Sequence, residues 1–199
     1  MAHVLYLTHR MPYPPDKGDK ITTFNFLRHL AAHHTVHLGC FVDSEEDWAQ
    51  ADKLKTWCAE TKLIRIDPLR QRAWSALALL QGASISEVYH RNRELQAWVD
   101  GTVQRHDIRT ALAYCSAMAP YVAGPKFTGL RRVTHYADVD SAKWKTYAET
   151  KGLPMSWVYG REARTLLDLE RRMSAQYDVT PSVSRSASHS TFASAISRA

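Results

Sequence analysis

Two hydrophobic periods alternate along this chain. Short apolar runs read as buried strands: "HVLYLT" (3–8), "TVHLGCFV" (35–42), "KLIRID" (62–67), "IRTALAYC" (108–115) and "RRVTHYA" (131–137). Between them the apolar positions take helical spacing. In 20–34 they place Ile21, Phe24, Leu27, Leu30 and Ala31 on one face. Further helices are predicted over 44–60, 70–82, 91–107, 141–152 and 156–176. Ser44, with Asp47 three residues on, gives the second helix a capping-type start, Pro68 closes the third strand, and Gly82 ends the next helix. Gly101 is a weak spot inside 91–107.

Strand–helix alternation with short connections predicts an α/β fold, a Rossmann-like parallel sheet with helices on both faces. Such sheets bind ligands beyond the carboxyl ends of their strands. The loops 9–19, 43–44, 116–120 and 138–141 are therefore the first candidate sites. From Ser184 onward "SRSASHSTFASAISRA" has no apolar period. The expected organisation is one domain, 1–183, followed by a disordered or frameshifted tail, 184–199.

Composition narrows the partners. The chain has 199 residues, 45% of them apolar, enough for one domain with a real core. A net charge of +6 favours anionic partners such as phosphates or acidic lipids. The basic residues are scattered and the aromatics are not interleaved with them, so no nucleic-acid partner is expected. Cys40, Cys58 and Cys115 form no CxxC pattern and read as reduced thiols of a cytoplasmic protein. No run approaches the length of a membrane span. The ten histidines have no cysteine partners at ligand spacing, and no metal site is expected.

The loop "PYPPDKGDK" (12–20) joins the first strand to the first helix. Three prolines stiffen its entry. Gly18 permits close backbone approach, Asp19 suits a helix cap, and Lys17 and Lys20 add positive charge beside the unpaired N–H groups of a helix N-terminus. The loop reads either as an anion site or as a well-built capped turn. It has neither the GxGxxG nor the Walker pattern. After the fifth strand, "THYADVDSAKW" (134–144) carries Asp138 and Asp140 at alternate positions. These carboxylates suit sugar hydroxyls or proton transfer, while Asp140 or Ser141 equally suits a helix cap. After the fourth strand, Ser116 suits a phosphate or hydroxyl, or a cap. Glu162 and Glu170, eight apart on one helix, are expected to ion-pair with neighbouring arginines.

"LYLTHRMPYPPDKGDKITTFNFLRHLAAHHTVHLGCFVD", "CSAMAPYV" and "DVDSAKWKTYA" with "SWVYGREARTLLDLERRM" together resemble the N-terminal half of a family 4-type glycosyltransferase. The similarity is to the sugar transferases associated with exosortase/PEP-CTERM exopolysaccharide clusters of Gram-negative bacteria. The resemblance implies a GT-B enzyme: two Rossmann-like domains facing across a cleft, the first holding the acceptor and the second the sugar nucleotide. It implies a retaining, metal-independent reaction with no cofactor, a nucleotide-diphosphate sugar as donor substrate, and a lipid-linked or saccharide acceptor. Carried onto this chain, the phosphate loop is Asp16, Lys17, Gly18, Asp19 and Lys20, with Ser116 and Asp140 as further binding candidates. Asp138 is the catalytic candidate, and His135 is a weaker one that suits simple packing in its strand equally well. A donor-binding domain is expected to be absent, which would leave the chain inactive alone. The alternative is a non-catalytic binding module completed by a partner chain. Arg65, Arg70, Arg72, Arg91 and Arg93 around "AWSALALLQGASI" suggest either an anionic membrane surface, peripheral at the inner membrane, or a solvated rim on a core helix. Self-association through a truncated sheet edge is a further expectation.

Overall fold

A computed structural model describes residues 1–69, 71, 75, 82–135 and 140–178. Five strands form one sheet: β1 (His3–Thr8), β2 (Thr35–Val42), β3 (Glu60–Arg65), β4 (Thr110–Tyr114) and β5 (Arg131–His135). Their order is β3-β2-β1-β4-β5, and every pairing is parallel. Helices among the described residues include α1 (Gly18–His33), α2 (Glu45–Trp48), α3 (Ile85–Tyr89), α4 (Arg93–Arg105), α5 (Asp140–Thr150) and α6 (Met155–Ser174), with short 3-10 turns at Ala51–Thr56, Ala119–Val122 and Pro125–Phe127. This is the Rossmann-like α/β class that the periodicity predicts.

Alternation along β1 divides the core in two. Val4 and Tyr6 face one side with Leu38 and Cys40 of β2 and Leu27 and Leu30 of α1. Leu5 and Leu7 face the other, with Leu95 and Val99 of α4 and Leu166 and Leu169 of α6. Gly39 on β2 lets α4 approach closely. A Cβ there would lie 2.8 Å from Leu7 Cδ2 and 3.0 Å from side-chain atoms of Leu95 and Trp98.

Two elements depart from the sequence pattern. In α1 the buried positions are Lys20, Thr23, Leu27 and Leu30, and Ile21 is exposed. The face is rotated because Lys20 turns inward to two carboxylates, Asp16 and Asp47, each 2.8 Å from its Nζ. The helix predicted over 44–60 is instead the four-residue α2 and a separate 3-10 turn. Ser44 does cap α2, accepting from the Asp47 N–H at 3.1 Å. The Asp47 side chain is buried against Lys20, and the chain then tightens so that Leu54 enters the core and Trp57 packs on Tyr13 and Phe24. The helix predicted over 70–82 lies largely outside the described residues, as does the tail from 179.

The topology fixes where a ligand belongs. From β1 the chain builds outward through β2 to β3, then crosses back and builds the other side through β4 and β5. The direction reverses between β1 and β4, which pair directly, with Thr8 opposite Tyr114. A crevice beyond the carboxyl ends of those two strands is the expected site.

Candidate functional site

A polar cleft opens at that reversal point, in two adjoining lobes of about 400 and 350 Å³. His9, Arg10, Ser86, His90 and Trp144 line both lobes. The larger adds Asp19, Cys115, Ser116, Asp140 and Lys143, and the smaller adds Asp43. Each strand end contributes directly. His9 and Arg10 follow β1, Asp43 follows β2, and Cys115 and Ser116 follow β4. Cys115 has φ 74°, the left-handed region that a non-glycine residue seldom occupies, and this turn carries the chain from β4 into the cleft wall.

Asp19, in the first turn of α1, is the hub of the cleft floor. His9 Nε2 lies 3.4 Å from its Oδ2, and Arg10 donates to the same oxygen at 3.1 Å. Arg10 also donates to Asp43 at 3.1 Å, tying the loops after β1 and β2 to α1. The hydrogen bond from His9, with the Arg10 charge, holds the Asp19 carboxyl well below the usual carboxylate range. Burial by itself disfavours a charged His9. The neighbouring Cys115 sulfur and the Asp19 carboxylate outweigh it, and the pKa rises to about 10. The raised pKa favours the imidazolium form of His9, which is paired with Asp19 and set against the Cys115 sulfur.

His90 takes the opposite state. Its ring stands edge-on to His9 with centroids 6.0 Å apart. Burial, then the His9 charge, push its pKa down to about 4. Its Nδ1 lies 3.0 Å from the Ser86 carbonyl oxygen, which can only accept. Nδ1 thus carries the proton, and Nε2 is left with a lone pair. One cleft so holds a cationic and a neutral imidazole side by side, a division that suits acid and base roles.

The sequence candidates separate on this geometry. Asp19, Ser116 and Asp140 come together, with the Ser116 hydroxyl 3.2 Å from Asp140 Oδ2. Lys17 is the exposed N-cap residue of α1, and Gly18 is exposed with open space around it. Lys20 does not reach the cleft: it is buried and committed to Asp16 and Asp47. Asp19 is no cap either, since it sits inside the first turn and faces His9 and Arg10. His135 is packed at the end of β5 against Tyr114 and Phe26, and does not line the cleft. Asp138 lies outside the described residues, as do Arg70 and Arg72. Arg65 is occupied by Glu45 at 2.7 Å and lies over the Trp48 ring, and Arg91 pairs with Glu87.

Among the described residues, Glu162 and Glu170 bond to the starts of two helices. Glu162 accepts from the Ser84 hydroxyl and the Ile85 N–H at 2.7 Å, and from the Ser86 N–H at 2.9 Å. Glu170 accepts from the Ser141 hydroxyl at 2.6 Å and the Ser141 N–H at 3.2 Å. Each carboxylate of α6 thus closes the start of a cleft-lining helix, α3 or α5, because the orphan N–H groups there lack partners of their own.

Sequence reading missed His9, Arg10, Asp43, His90 and Lys143. His9, Arg10 and Asp43 lie in the candidate loops 9–19 and 43–44, where their position directly after β1 or β2 is the available signal. For His90 there was none, since the five-residue α3 is too short to announce itself by periodicity.

No protein-family model matches the chain, and no curated protein matches it. Among solved structures it is similar to the trehalose-6-phosphate phosphatase N-terminal domain of Candida albicans, at 11% identity with a TM-score of 0.46. That match covers 90% of this chain and 40% of the other. No helix among the described residues is long and apolar enough to cross a membrane.

Proposed function

We propose that this chain is the acceptor-side half of a sugar-nucleotide-dependent glycosyltransferase of exopolysaccharide synthesis, with its substrates meeting at the β1–β4 cleft. The observation that carries the reading is the polar cleft at the carboxyl end of the sheet, where His9, its pKa raised, lies with Lys143, Ser116 and Asp140. Basic groups at that position suit an anion such as the phosphate of a leaving nucleotide. The exposed Lys143 adds positive charge on the same cleft. Asp140, hydrogen-bonded by Ser116, offers carboxylate oxygen to sugar hydroxyls. Neutral His90, with a lone pair on Nε2, offers a hydrogen-bond acceptor to a substrate hydroxyl. The family resemblance of the opening loop and the "DVDS" block supports the same substrate class. In the enzymes it resembles, a second domain holds the nucleoside, so turnover is assigned to the complete pair of domains.

Calorimetric titration with UDP-, GDP- and ADP-sugars, followed by a lipid-linked saccharide mimic, tests this. At least one ligand should bind, and His9→Gln should weaken a sugar nucleotide at least tenfold. Silence to every sugar nucleotide and to the acceptor mimic would overturn the reading.

A further inference from the structure

The opposite end of the sheet holds a second cluster. His3 opens β1, His37 is the third residue of β2, and His106 follows the last turn of α4. Their ligand atoms all lie within 4.8 Å of one another. His3 Nδ1 and His37 Nε2 face each other at 2.8 Å. Ring centroids are 5.2 Å apart for His3–His37 and His3–His106, and 4.3 Å for His37–His106. Three imidazoles sharing one tetrahedral ion at about 2.0 Å per bond would have centroids roughly 5 Å apart. The observed triangle needs only a small opening to reach that arrangement.

A carboxylate stands behind two of the three rings. Glu60, the first residue of β3, has Oε2 3.3 Å from His106 Nε2 and 3.5 Å from His37 Nδ1. Its other oxygen accepts from Trp98 Nε1 at 2.8 Å and from Arg105 at 2.9 Å, which fixes the carboxylate. Glu60 therefore addresses the nitrogens of His37 and His106 on its own side and leaves His37 Nε2 and His106 Nδ1 to converge with His3 Nδ1. Carboxylates hold metal-ligating histidines in this way. His37 is 1% exposed, and its Nδ1 faces Glu60 at 3.5 Å.

We propose that His3, His37 and His106 form a binding site for a divalent transition-metal ion of imidazole preference, with zinc the best fit, held from behind by Glu60. Three neutral imidazoles leave a fourth position for water, and both His3 and His106 are partly exposed there. The site joins the N-terminal ends of β1 and β2 to the end of α4. It stands about 20 Å from the cleft, the length of a six-residue strand. Its role is to fasten the fold, and it takes no part in the chemistry assigned to the cleft. The sequence pattern hid it because the ligands are 34 and 69 positions apart, with none at local metal-ligand spacing.

Zinc competition against a chromophoric chelator, on chain free of any affinity tag, tests the site. One zinc should bind per chain at micromolar or tighter affinity, and it should raise the melting temperature reversibly with EDTA. His106→Gln should lose the affinity at least tenfold, and Glu60→Gln by about tenfold. The surface pair His29 and His33 on α1, with rings 5.1 Å apart, is the competing location. Cobalt titration of the unaltered chain gives a readout independent of any variant's folding. Intense visible bands of a tetrahedral cobalt site support the proposal. Their absence, or loss of zinc in His29→Gln/His33→Gln with His106→Gln unaffected, would overturn it.

Discussion

Glu170 of α6 receives both the hydroxyl and the backbone N–H of Ser141, at 2.6 and 3.2 Å. Eight positions earlier, Glu162 does the same for Ser84, Ile85 and Ser86. One helix thereby sets the entry of both walls of the cleft: α3, which leads to His90, and α5, which begins with Asp140. Replacing Glu162 by Ala strands three donors against a buried void and should cost roughly 3 kcal/mol in urea unfolding. Glu162→Gln keeps one acceptor and should cost less than half of that. A loss below 1 kcal/mol for the alanine variant would contradict the role.

Lys20 has the second structural role that looked functional in the sequence. Its buried ammonium is matched by Asp16 and buried Asp47, each at 2.8 Å. Removing it leaves the Asp47 charge uncompensated. Lys20→Met should destabilise by about 3–5 kcal/mol, and Lys20→Met/Asp47→Leu should recover much of the loss. Equal and additive losses in a double-mutant cycle would show that the pair is not coupled.

The two cleft histidines shape stability against pH in opposite directions. From pH 6.5 down to about 4, the unfolded chain protonates His90 and the folded chain resists it. Stability therefore falls as the pH falls through that window. From pH 6.5 up to about 10 the folded chain keeps the His9 proton that the unfolded chain has lost. The His9 contribution is thus complete below 6.5 and is lost as the pH rises toward 10. Thermal melts across this range should peak near pH 6.5. His90→Gln should flatten the acid limb, where the lowered pKa values of His34 and His37 act in the same sense, and His9→Gln the alkaline one. An unchanged alkaline limb in His9→Gln would refute the imidazolium assignment.

Thiol reactivity reports on the cleft wall. Cys40 and Cys58 are buried, and burial pushes the Cys58 thiol up to about 12. Cys115 is partly exposed and lines the cleft. Ellman's reagent should modify one thiol of the native chain quickly and two only on unfolding, and Cys115→Ala should abolish the fast phase. Fast labelling that persists in Cys115→Ala would contradict this geometry.

The sheet was legible because buried parallel strands are short, apolar and bounded by breakers. All five appear within a few residues of their predicted ends. The helical faces were less so. Ile21 is the apolar residue of its turn, yet Lys20 is buried in its place because two carboxylates, one of them 27 residues away, make that favourable. The loops that build the site were also legible, since topology alone puts ligands at strand ends, and Asp19, Ser116 and Asp140 do meet there. Their roles were not. What makes His9 cationic and His90 neutral is a set of contacts among β1, α1, α3 and β4, and no local spacing encodes it. The same holds for His3, His37 and His106, which only the parallel register brings together.

The cleft between β1 and β4 is the proposed substrate site. Amide chemical-shift mapping by NMR, during titration with the sugar nucleotide or acceptor mimic of highest affinity, is the decisive experiment. The largest shifts should fall on His9, Arg10, Asp19, His90, residues 115–117 and residues 140–144. Shifts confined to other surfaces, or none at millimolar ligand, would contradict it.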